Sequence, residues 1–103
     1  MFYDQGTTGC ELSVAMRNSV LETYKNEFHG DELLKRVEIL EVEIAPSGKG
    51  AKVHFNIKGG YDYAVVTAMS DPKVAKTVRT NLKKDLSDKF SAIPKVTFVA
   101  SCW

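Results

Sequence analysis

The apolar residues of this chain change period twice, and that limits the folds open to it. From Cys10 to His29 they recur at spacings of three and four: Leu12, Ala15, Met16, Val20 and Tyr24, with Phe28 extending the stripe. One side of an α-helix requires that spacing. Gly30 is a good C-terminal stop. Further on the period falls to two. Leu40, Val42 and Ile44 alternate with Glu41 and Glu43, and Val53, Phe55 and Ile57 alternate with Lys52, His54, Asn56 and Lys58. A half-buried strand reads this way. Val37 and Ile39 sit in the opposite phase to Leu40, which predicts a bulge or kink near Ile39-Leu40.

The two strands flank Ala45-Pro46-Ser47-Gly48-Lys49-Gly50, which is turn chemistry, so they form an antiparallel hairpin. After Gly59-Gly60 comes an apolar piece, Tyr61 to Met69, that reads either as a third strand or as the continued second strand plus a packed loop. Asp71-Pro72 opens a second helix: Asp71 can cap it and Pro72 suits its first position. Val74, Val78, Leu82, Leu86 and Phe90 form its apolar stripe, at steps of four. Past Pro94, Val96, Phe98 and Ala100 alternate with Thr97 and Val99 in a last strand. Both its faces are fairly apolar, as in a central strand.

A chain of 103 residues is one domain, and 44% hydrophobic content supplies one core, so disorder is not expected. No apolar run reaches the roughly 18–20 residues of a membrane span. The start, Met1-Phe2-Tyr3-Asp4, lacks the basic and apolar regions of a signal peptide. The order of elements is helix, hairpin, helix, strand, with room for a short first strand at Phe2-Tyr3. That order predicts residues 1–103 as a single α+β domain. The expected form is a ferredoxin-like split βαβ sandwich, an antiparallel sheet with two helices packed on one face.

Few residues are placed for chemistry. Cys10 and Cys102 are the only cysteines. Their positions at the two ends favour a disulfide, worth roughly 4–5 kcal/mol by loop-closure arithmetic; the alternative is two unrelated buried thiols. No Cys-x-x-Cys or close His pair is present, so no metal is expected, and His29 and His54 read as solvated. Glu38, Glu41 and Glu43 read as a solvent-facing strand surface rather than a paired-carboxylate site. Ser47-Gly48-Lys49-Gly50 lies between two strands and lacks the helix N-terminus that a phosphate loop needs. No catalytic residue and no cofactor are expected.

Charge is unevenly spread. Residues 1–50 hold 5 Lys/Arg and 9 Asp/Glu, net −4; residues 51–103 hold 9 and 4, net +5. The plain reading is two solvated faces of opposite sign. The sharper one is a basic contact face on the second helix, made of Lys73, Lys76, Arg79, Lys83 and Lys84.

From Val37-Glu38-Ile39-Leu40-Glu41-Val42-Glu43-Ile44 through Gly50-Ala51-Lys52-Val53-His54-Phe55, and in element order, the chain resembles the SEA domain. That module occurs in mucin-like, matrix and membrane-anchored cell-surface proteins. Its hallmark is Gly-Ser-Val-Val-Val, cleaved between Gly and Ser when the hydroxyl attacks the preceding carbonyl. Gly50 and Ala51 fall at those positions, and alanine has no hydroxyl, so the resemblance implies a non-cleaving member, either natively or with Ala51 standing in for a natural Ser. Lys52, His54 and the long Tyr61–Met69 stretch depart from the pattern. The resemblance implies a non-enzymatic extracellular or membrane-proximal structural or adhesion module. Its partner would be a protein or glycan at the cell surface or in matrix, with no nucleic acid and no membrane insertion.

Two other functions stay open. If Tyr61–Met69 is a third strand, the order helix, three strands, helix resembles double-stranded-RNA-binding domains. The chain would then be an intracellular nucleic-acid binder using the basic helix face. Lys73-Val74-Ala75-Lys76 is only a fragment of that family's Lys-Lys-x-Ala-Lys signature. A metal or small-molecule carrier on a ferredoxin-like scaffold is the weakest reading. Thr7-Thr8-Gly9-Cys10 has one of the two cysteines that heavy-metal-binding domains need.

Overall fold

The computed structural model describes residues 2–90 and 92–101, with side chains from residue 11 onward. In chain order the elements are α1 (Phe2–Glu27), a single 3-10 turn (Leu34–Arg36), β1 (Val37–Ile44), β2 (Gly50–Ile57), α2 (Tyr63–Met69), α3 (Pro72–Leu86) and β3 (Lys95–Ala100). The sheet has the order β1-β2-β3. β1 pairs antiparallel with β2, and β3 joins β2 in parallel.

The α+β class holds, as a three-stranded mixed sheet with three helices, of the βαβ type. The expected all-antiparallel sheet is corrected in its last strand. A parallel neighbour needs a crossover that returns the chain to the same end of the sheet. Residues 58–94, which contain α2 and α3, are that crossover. No first strand forms at Phe2-Tyr3, because α1 already begins at Phe2. β3 lies at a sheet edge rather than in the centre; its half-buried Phe98, Val99 and Ala100 fit an edge with partial cover.

One face of the sheet carries the core. Val37, Ile39, Val42, Ala51, Val53, Phe55, Ile57 and Val96 are buried there. They form one apolar cluster with Met16, Val20 and Tyr24 of α1, Val65 and Met69 of α2, and Val74, Val78, Leu82 and Leu86 of α3. The opposite phase of β1 and β2, Glu38, Glu43 and Lys52 among them, is exposed.

The expected bulge is present. The β1–β2 register shifts between Ile39 and Glu41, leaving Leu40 unpaired and 40% exposed. That one extra residue lets Val37 and Ile39 share the core face with Val42 despite their opposite sequence phase. β1 is an edge strand, and two of its carbonyls accept from side chains of α1. Arg17 Nε donates to the Leu40 carbonyl at 2.7 Å, and Ser13 Oγ donates to that of Val42.

Tyr61–Met69 is neither the third strand nor the packed loop of the sequence reading: Tyr63–Met69 is α2. Gly59 and Gly60, at φ of +91° and +99°, turn the chain out of β2. The left-handed region favours glycine at both. Asp62 then caps α2, accepting from Ala64 N at 2.9 Å. Arg36 fixes this turn: Nη1 reaches Asp62 Oδ2 at 2.7 Å, and Nε and Nη2 both donate to the Lys58 carbonyl at 3.2 Å. The Arg36 and Ala64 hydrogen bonds hold the Asp62 carboxyl below the usual aspartate range.

Candidate nucleic-acid interface

α3 begins at an Asp71 cap, which accepts from Lys73 N at 2.9 Å, with Pro72 in the first turn. Burial of Val74, Val78, Leu82 and Leu86 fixes which way the helix faces. Lys73, Lys76, Arg79, Lys83 and Lys84 are all exposed. At about 100° per residue, these five fall within roughly 140° of arc, opposite the core stripe.

No acid interrupts that arc. Asp85 lies on the flank toward α1 and accepts from Ser19 Oγ at 2.8 Å. One turn away Asn81 Nδ2 donates to Thr23 Oγ1 at 3.0 Å, and Thr23 Oγ1 donates to the Ser19 carbonyl at 2.9 Å. This polar seam satisfies the buried Ser19 and Thr23 and turns the Asp85 carboxylate away from the basic face. Among the described residues none of the five cations is in an ion pair.

The helix gains little from this arrangement. Lys83 and Lys84 in the last turn suit the helix dipole, but Lys73 stands in a first turn that carries no acid, where a cation is disfavoured. Lys73 and Lys76, Lys76 and Arg79, and Arg79 and Lys83 are like-charge neighbours at three or four residues, each costing a few tenths of a kcal/mol.

The other singled-out residues are not brought together. Gly50 and Ala51 lie inside the ladder, with Ala51 paired to Ile44 and Val96 and 3% exposed. The turn's left-handed residue is Gly48 instead, at φ +74°. The Cys10 side chain and Cys102 lie outside the described residues, so the proposed pairing does too. His54 is half-buried and meets Glu43 Oε1 at 3.0 Å across the β1–β2 pair; His29 is exposed. Among the described residues no group of three His, Cys, Asp or Glu side chains is placed to hold a metal ion, and no helix is long and apolar enough to cross a membrane.

Fold and site together define a small α+β domain with a mixed sheet and a cationic helix face. No protein-family model matches the chain, and no curated protein matches it by sequence. A solved structure does match by fold: ribosome-binding factor A from Thermus thermophilus, with a TM-score of 0.69 and 13% identity over 89% of this chain and 94% of that one.

This likeness overturns the SEA-domain resemblance and what it implied. An extracellular or ectodomain location, an adhesion role and a cell-surface protein or glycan partner lose their basis, because the fold is shared with a ribosome-binding protein. The expectation of no nucleic-acid partner, which came with that resemblance, loses its basis too. The double-stranded-RNA-binding order also fails, since its third strand is α2. The basic-face reading does not depend on that order, since it rests on α3 alone.

Proposed function

We propose that this domain works inside the cell as a non-enzymatic RNA-binding module of the ribosome-associated kind, gripping the phosphate backbone with the outer face of α3. The observation that carries the reading is the unbroken arc of Lys73, Lys76, Arg79, Lys83 and Lys84, all exposed and free of ion pairs among the described residues. The fold likeness to ribosome-binding factor A supports it and makes structured ribosomal RNA the ligand class to test. Cations that touch phosphates release condensed counterions, so binding through this face falls steeply with salt.

Fluorescence anisotropy with a labelled ribosomal RNA hairpin tests this. With four to five phosphate contacts, the plot of log K against log salt has a slope of about −3 to −4.5. Absence of binding at about 50 mM salt, or a slope unchanged by the triple variant K76E/R79E/K83E, overturns the reading.

A further inference from the structure

We propose a second phosphate-binding site at the hairpin end of the sheet, where Lys49, Lys52 and Lys95 converge, and assign it to the sugar–phosphate backbone of the same RNA. The inference rests on the RNA reading and extends it to a surface formed by three separate elements.

A groove of about 440 Å³ opens there, lined by these three lysines together with Ser47, Gly50 and Thr97. Its geometry follows from the ladder. Gly50 pairs with Lys95, and Lys52 pairs with Thr97, so the start of β3 lies beside the start of β2. Lys95 N donates to the Lys49 carbonyl at 3.0 Å, which ties the turn to β3. Gly50 presents no side chain, and a Cβ there would meet nothing nearer than the Lys95 carbonyl at 3.9 Å. All three lysines are exposed, and among the described residues none is in an ion pair.

One acid borders the groove, Glu43, and its Oε1 is engaged by His54 Nε2 at 3.0 Å. Among the described residues the groove is thus lined by three lysines and one glutamate, whose carboxylate is already hydrogen-bonded. A concave surface with net positive charge, lined also by the small residues Ala45, Gly50 and Ala51, leaves room for a phosphodiester. Charge complementarity to a polyanion selects the occupant.

The test compares three forms of the full chain against the same RNA hairpin over a salt series: unmodified, K49Q/K52Q/K95Q, and the helix variant K76E/R79E/K83E. Exposed lysines tolerate glutamine, and circular dichroism checks the fold of each form. The groove variant is expected to reduce the salt slope by about 2–3 and K49R/K52R/K95R to restore it. In the unmodified ¹⁵N-labelled chain, RNA shifts the amide resonances of Lys49, Lys52 and Lys95.

If the helix variant loses slope while the groove variant keeps it and the groove amides do not move, the second site is overturned and the α3 reading stands. If the groove variant loses slope while the helix variant does not, the site stands and the α3 assignment falls. If the unmodified chain binds no RNA, both fall. Equal shifts of the groove amides with inorganic phosphate alone, and no slope change with RNA, identify a small-anion site and overturn the RNA assignment.

Discussion

α3 and β1 are both amphipathic, yet their outer faces are built in opposite ways. On β1 two of the exposed acids sit across from nitrogen-bearing side chains of β2: Glu43 is paired with Lys52 and its Oε1 meets His54 Nε2 at 3.0 Å, and Glu41 is paired with His54. On α3 none of the five outward cations is in an ion pair among the described residues, and Asp85 is drawn off to Ser19. Acids set opposite nitrogen-bearing side chains are partly compensated within the sheet, whereas a helix face of unpaired cations is open to an external partner. The uneven charge along the chain thus corresponds to two different surface types, not merely to two halves of a sequence.

The largest break in that comparison comes from reversing charge on α3. K76E/R79E/K83E should weaken RNA binding at least a hundredfold near physiological salt, read by anisotropy. Its thermal midpoint should move little, because the like-charge neighbours contribute only tenths of a kcal/mol. The inner side of the same helix behaves oppositely. Leu82→Ala, at a fully buried position, should lose about 2–5 kcal/mol in urea unfolding and alter RNA affinity only as far as it depletes the folded state.

Next in size is the sheet edge. Arg17→Ala removes the donor to the Leu40 carbonyl at the bulge and should cost about 1 kcal/mol, again by urea unfolding. Arg17→Lys should recover only part of this, since a single ammonium does not reproduce the guanidinium geometry.

Acid stability provides a finer probe. Asp62 has a folded pKa below its unfolded value, so its ionised form stabilises the fold above the unfolded pKa, and that contribution is lost as pH falls through the folded one. A pH series of denaturation midpoints should drop below about pH 4 in the unmodified chain and less steeply in Asp62→Asn. An identical decline in both would remove the Arg36–Asp62 lock from the account of how α2 starts. The smallest effect belongs to the acidic face. Glu41→Gln should change stability by less than about 0.5 kcal/mol and raise RNA affinity no more than about threefold.

Much of the fold was legible in the residues. The stripes of Met16, Val20 and Tyr24 and of Val74, Val78, Leu82 and Leu86 marked the buried sides of α1 and α3. The phase break at Ile39-Leu40 marked the bulge. Tyr61–Met69 was not legible, because a short apolar run between two glycines and a proline has no period long enough to separate helix from strand. The deciding interaction, Arg36 on Asp62, joins residues 26 apart in sequence. The basic face was visible as a spacing pattern. The convergence of Lys49, Lys52 and Lys95 was not, since Gly50 and Lys95 become neighbours only once β3 pairs with β2.

The sequence by itself determined the α+β class, the hairpin, the bulge and the cationic side of α3, because each follows from periods and turn residues within a few positions of one another. Tertiary structure alone decided that β3 runs parallel at an edge, that Tyr63–Met69 is helical and that the hairpin end collects cations. Those outcomes depend on pairings between distant segments, and local residue preferences do not specify which distant segment will supply the partner.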